Sequence, residues 1–307
     1  TNMVNVLLRS LGFLLVILAT FTLKKVGMFR KEDGQFLAKL MVNVTMPCAL
    51  LSAGKNIEFS PQLLIAFGLG ICSNLILIAC GLTSASLTRY DSKTKGIYVI
   101  NCAGFSVGSF ALPFVQYFFD SSVLPYLCMF DIGNAIMGLG INNAIGGAVA
   151  KTGEKPSVQG TIKNLFSNPP FSVYLIVIFF AILHISLPEG LLTVVSIAGN
   201  ANAFVTMGMI GLLLEISMPK GDVGKIFQVV LTRLIGQAIV SLLIWFLLPL
   251  PEQAKMVLIL CIVTPITSMA PVFTKKMVGD SDIPAAANSL SVPIALGIMT
   301  ALVLIFL

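Results

Sequence analysis

From Pro61 to Leu87 no residue carries a charge, and apolar side chains fill most of the stretch. A helix needs about 20 such residues to cross the hydrocarbon core of a bilayer. Comparable runs recur at 4–23, 35–54, 96–119, 122–149, 169–187, 190–216, 226–248, 254–276 and 284–306. Only helices and closed barrels satisfy their own backbone polar groups in lipid, and runs of this length read as helices. The expected fold is therefore an all-α polytopic membrane protein with ten transmembrane helices. Composition agrees: 57% of residues are hydrophobic and 10% charged, against about 25% charged in soluble domains. Mean hydropathy is +0.97. The first apolar run is long and lacks a cleavage site, so it reads as a span rather than a cleavable signal peptide.

The formal net charge of +6 sits in short connections. Lys24, Lys25, Arg30 and Lys31 follow the first run, and Arg89, Lys93 and Lys95 the third. Lys151, Lys155 and Lys163 follow the fifth, Lys220 and Lys225 the seventh, and Lys275 and Lys276 close the ninth. The alternate connections hold Lys55, Asp120, Glu189, and Lys255 beside Glu252. Positive charge favours the cytoplasmic side, so both termini are expected outside. The excess serves orientation, and no motif points to nucleic acid. The polar segment 151–168 reads as a cytoplasmic linker between residues 1–150 and 169–307. Each part would hold five spans, so the second would enter the membrane inverted relative to the first.

Two spans look interrupted. Residues 101–119, NCAGFSVGSFALPFVQYFF, carry small polar residues and Pro113; residues 260–276, LCIVTPITSMAPVFTKK, echo them around Pro271. Proline in a helix removes a donor and clashes with the preceding turn, so each helix is expected to kink or unwind there. Matched interruptions in two halves point to a transporter's binding site. The helix start behind each break offers unpaired N–H groups and partial positive charge, which suits an anion. Ser106, Gly108, Ser109 and Pro113 in helix 4, with Thr264, Thr267, Ser268 and Pro271 in helix 9, are the candidate substrate-binding residues. The broken helices 4 and 9 would meet at mid-membrane. Tight packing by small residues is the alternative reading.

These segments resemble the auxin efflux carrier family, which includes plant PIN carriers and bacterial malate and malonate permeases. GFSVGSFALPFV, FDIGN at 130–134 and TPITSMAPVFTKKMVGDSD at 264–282 carry the resemblance. It implies ten spans in two inverted five-helix repeats, helices 4 and 9 crossing, a homodimer and elevator-type alternating access. Spans 1, 2, 6 and 7 would form the scaffold. It also implies a mono- or dicarboxylate substrate and a bacterial cytoplasmic membrane. Ser106 departs from the asparagine often found there in the family.

Polar residues deep in spans are costly unless paired. Asp131 lies roughly 15 Å into the fifth span, and Asn134 shares its face. One reading makes them an H+- or Na+-coupling site; the other makes Asp131 a cap or a holder of Asn134. Asn43, with Pro47 one turn on, and Asn200 and Asn202 would line the path or bond between helices. Asn101, Asn142, Asn143 and Asn288 are weaker cases of the same kind. Glu215 is expected to reach water or Lys220, and Arg233 to snorkel towards the same surface. His184 reads as packed or interfacial. Cys48, Cys72, Cys80, Cys102, Cys128 and Cys261 lack metal spacing and read as reduced apolar fillers. Gly104-Phe-Ser106-Val-Gly108 spells GxSxG, but inside a span it lacks the strand–turn–helix setting of a hydrolase. A paired-aspartate protease and a nucleotide-driven pump lack their residues. The expectation is a secondary carrier for small organic anions, without a cofactor or metal. An ion-coupled exchanger and a non-transporting ligand sensor are the alternatives.

Overall fold

The computed structural model describes residues 3–53, 60–153, 157–183, 185–215, 219 and 221–306. Lys55, Lys155, His184 and Lys220 lie outside them. All regular structure among the described residues is helical. The first half holds α1 (Met3–Lys25), α2 (Lys31–Leu40), α3 (Met46–Ala53), α4 (Pro61–Leu87), α5 (Ser92–Cys102), α6 (Leu112–Phe118), α7 (Leu124–Ile136) and α8 (Asn142–Ala150). The second holds α9 (Val158–Phe166), α10 (Pro169–Ile182), α11 (Glu189–Asn200), α12 (Asn202–Leu213), α13 (Val223–Leu247), α14 (Glu252–Ile262), α15 (Ala270–Val278) and α16 (Ile283–Phe306).

Among the described residues, seven helical stretches are long and apolar enough to cross a membrane: Lys31–Ser52, Pro61–Leu87, Ser92–Phe118, Ser121–Ala150, Glu189–Leu213, Val223–Leu247 and Ile283–Phe306. An eighth results if α9 and α10, bent by 80°, are counted as one. The protein is thus an all-helical membrane protein with seven or eight candidate spans, against the ten expected. The difference falls on three regions. In α1, part of the helix lies outside the described side chains. By itself α10 has only 14 residues. The ninth expected span is divided into α14 and α15.

The segment expected as a linker contains α9. Ser157 Oγ accepts the Gly160 N–H at 3.0 Å as its cap, and Leu165 turns inward while Val158, Ile162 and Phe166 stay exposed. Apolar residues at helical spacing within a polar segment make it an amphipathic surface helix.

The packing places polar-bearing helices at the centre. In α7 every residue from Leu124 to Asn134 is buried, as is α14 from Met256 to Ile262. Long α4 and α13 turn Leu64, Leu75, Phe227, Leu231 and Phe246 outward, as a lipid-facing surface requires. Close approach of α4 and α7 rests on two glycines. A Cβ on Gly70 would run into the Phe130 carbonyl, and one on Gly133 into the Phe67 carbonyl. Small residues let helix backbones touch where lipid supplies no hydrophobic drive.

Gly133→Ala is therefore expected to destabilise by about 1–3 kcal/mol through overpacking, read as thermal unfolding in detergent. Gly68→Ala, on the same α4 with open space around its Cβ, should be neutral or stabilising by up to about 1 kcal/mol.

Candidate functional site

Both interruptions exist, each lying N-terminal to its proline. Residues 103–106 leave the helical path, a π-helical turn follows at Val107–Ala111, and α6 begins at Leu112. Pro113 is the second residue of α6, which directly follows that π-helical turn, a one-residue irregularity of the kind that accompanies a missing ladder bond. The same pattern shapes the second candidate span, with a π-helical turn at Met41–Thr45 just before Pro47. At the second interruption, 263–269 separates α14 from α15, and Pro271 lies in the first turn of α15. Pro265 lies inside this gap, and a residue before proline is pushed out of the α region. That ends α14 close to Thr264. The expectation that each helix kinks or unwinds at Pro113 and Pro271 is refined accordingly: the residues that leave the helical path precede Pro113 by 7–10 positions and Pro271 by 2–8.

The two gaps touch. Gly104 has a φ of +79°, open to glycine alone at little cost, and a Cβ there would stand 2.9 Å from Thr267 Cγ2. Peptide groups freed by each gap find side-chain partners. Asn134 Oδ1 accepts the Phe105 N–H at 3.1 Å, and Asn134 Nδ2 donates to the Phe105 carbonyl at 2.9 Å. Asn74 Oδ1 accepts the Gly104 N–H at 2.8 Å. At the other gap, Ser291 Oγ accepts the Ile266 N–H at 3.1 Å, and Asn288 Nδ2 donates to the Ile266 carbonyl at 2.7 Å. In both gaps the helix after the next, α7 or α16, meets both the N–H and the C=O of one residue.

The carbonyl ends of α5 and α14 share one cation. Arg233 Nη1 donates to Cys102 O at 2.6 Å and Ala103 O at 3.3 Å. Its Nη2 donates to Thr264 O at 3.1 Å and Pro265 O at 3.2 Å. Gln237, one turn on, donates to Ile262 O and Thr264 O at 2.7 and 2.9 Å. Arg233 is 2% exposed, so it does not snorkel. It lies ten residues into α13, about 15 Å from the helix start, beyond the reach of a side chain to the surface.

Beside the gaps lies a cavity of about 370 Å³. Ser106, Gly108 and Ser109 line it from the first interruption, and Thr267 and Ser268 from the second; α7 adds Asp131 and Asn134. Met41, Met46, Phe171 and Met209 form an apolar wall. Asp131 Oδ1 accepts from Asn134 Nδ2 at 2.9 Å, and Oδ2 accepts from the Tyr174 hydroxyl at 2.7 Å. Asp131 therefore does hold Asn134. Arg233 lies behind the cavity, its Cζ 5.2 Å from the centre of the Phe105 ring, and Phe105 is a wall of the cavity.

Five predicted residues stand apart from this cavity. Pro113 and Pro271 lie in the helices beyond the gaps. Thr264 is buried, its hydroxyl donating to Cys261 O at 2.8 Å. Asn43 is exposed and donates back to Lys39 O within its helix at 2.8 Å. Asn200 borders a different cavity, of about 560 Å³, with Phe13 and Tyr117. The buried neighbour Asn202 accepts from Thr45 at 2.9 Å, an interhelical bond. Glu215 pairs with Lys31 at 2.8 Å. None of the six cysteines is bridged.

Tyr174, Asn74, Gln237 and the capping role of Arg233 were not foreseen. The depth argument applied to Asp131 finds Asn74, Arg233 and Gln237 equally well. Tyr174, in an apolar run, gives no such signal.

The chain matches no protein-family model and no curated protein.

Replacing Asn134 by Leu should cost about 2–4 kcal/mol, because both polar groups of the Phe105 peptide lose their partner. Asn143→Leu, which loses only a bond to Gly138 O, should cost less than half as much in the same detergent melt.

Proposed function

We propose that this chain is a secondary carrier of small organic anions, and that the guest's carboxylate binds in the cavity beside the two interruptions. The observation that carries the reading is the convergence of Ser106, Ser109, Thr267 and Ser268, from two separate breaks, on one cavity. Four hydroxyls form a set of donors suited to a carboxylate. The reading includes ten spans in two inverted repeats, with the broken fourth and ninth helices crossing at mid-membrane. It also includes both termini outside, from the distribution of positive charge among the connections, and a homodimer and elevator-type movement, as the resemblance to auxin efflux carriers implies. Supporting it, each gap has one residue held at both N–H and C=O by the corresponding later helix, Phe105 by α7 and Ile266 by α16.

Asp131 supports a second reading. A carboxylate guest beside an ionised Asp131 meets like charge where little water screens it. Asp131 would then take up a proton with the guest, or an Na+ ion would stand between them, making the protein an ion-coupled exchanger centred on Asp131 and Asn134. A sensor that binds without transport would show ligand binding and no flux.

Purified protein in proteoliposomes is expected to take up one or more members of a mono- and dicarboxylate panel. Pro113→Ala or Pro271→Ala should cut the rate on the order of tenfold or more, since small displacements of a binding frame are costly, while insertion is retained. Wild-type rates from both variants, or no uptake of any acid, would sink the reading. Asp131→Asn should abolish dependence on the pH or Na+ gradient; unchanged dependence removes Asp131 from coupling.

A further inference from the structure

Arg233 presents a buried guanidinium with no carboxylate partner among the described residues. Its counter-charge is main-chain. It bonds the last carbonyl of α5 and the one after it, and two carbonyls that lie just past the end of α14. Each helix C-terminus carries roughly −0.5 elementary charge, so two of them facing one point sum to about the single positive charge of the guanidinium. The four carbonyls belong to Cys102 and Ala103 on one side and Thr264 and Pro265 on the other. In a chain lacking this side chain, the four oxygens would face one another in a nonpolar interior, with only Thr264 O keeping a donor, from Gln237 Nε2 at 2.9 Å. Rings of carbonyl oxygen directed at one point are cation ligands. The planar fork of arginine meets two pairs of oxygens at once, where the three donors of a lysine ammonium cannot reach both pairs equally.

We propose that Arg233 is a resident counter-cation, and that the four carbonyls it bonds form a latent cation site which accepts a small free cation once the side chain is shortened. The best occupant is guanidinium, which reproduces the native fork. Na+ and K+ are weaker occupants, and choline is too large and carries no N–H donors. The site is separate from the anion cavity, on the far side of the Phe105 ring, and its test needs no transport.

The experiment compares wild type, Arg233→Ala, Arg233→Met and Arg233→Lys in detergent, melted in choline chloride alone and with NaCl, KCl or low-millimolar guanidinium chloride added. In choline, Arg233→Ala should melt lower than wild type on the order of 10 °C. Guanidinium should restore most of that loss in a saturable manner, and the alkali ions a smaller part. Wild type and the exposed-site control Lys163→Ala should show no saturable rise with guanidinium. Arg233→Met fills the space without charge and should melt as low as Arg233→Ala, with little rescue because its side chain occupies the site. Arg233→Lys should melt above Arg233→Met. Should Arg233→Ala fail to fold, the Lys and Met variants decide by folded yield in membrane extracts. A Met variant as stable as wild type, a Lys variant no better than Met, or a folded Ala variant blind to guanidinium would each overturn the proposal.

Discussion

A helix interrupted inside a nonpolar interior leaves main-chain donors and acceptors with no water to turn to, and satisfying them governs how the rest of this structure is built. The freed amides and carbonyls cluster at 103–106 and 263–269. Asn74, Asn134, Asn288 and Ser291 meet the isolated peptides, while Arg233 and Gln237 meet the carbonyl ends. Each of these side chains must itself be held in place, so α4, α7, α13 and α16 are fixed around the gaps. The touching glycines of α4 and α7 bring Asn74 within 3.3 Å of Asn134. Removing that contact would loosen both amides and the first gap with them.

The arrangement also explains why so polar a centre can be built from so few charges. Neutral amides satisfy a donor and an acceptor together, at lower desolvation cost than an ion. Asn134 serves the N–H and the C=O of Phe105 and still donates to Asp131. A cation is used where acceptors alone converge. Asp131 is placed on the other side, where the cavity is, with Tyr174 and Asn134 as donors.

Much of this was legible in the residues. Apolar runs gave the helical membrane character, and the Ser-, Thr-, Gly- and Pro-containing stretches gave both interruptions. The unwound residues lie upstream of Pro113 and Pro271; at the second gap Pro265, which pushes Thr264 out of the helical region, ends α14. The cavity gathers Ser106, Gly108, Ser109, Thr267, Ser268, Asp131 and Asn134, all singled out by polarity at depth. Asn43 and Asn200 were chosen by the same rule and lie elsewhere, since depth along a helix says nothing of the face on which a side chain stands. Arg233 was read as reaching the surface because long basic side chains usually can. Its position in α13 made that impossible, and helix ends from distant parts of the chain, invisible in sequence, supply its partners. Helix α9 was missed because its apolar residues are few and its surroundings polar.

Because one guanidinium grips both gaps, they are bolted to each other. Parting them would strip several charge-assisted bonds together in a medium that offers no replacement. The methionine and phenylalanine side of the cavity is joined to the gaps mainly by dispersion contacts, and thioethers slide over such surfaces with little penalty. The seam with Met41, Met46 and Met209 is therefore the softer boundary of the cavity. The bolted pair behaves as one block.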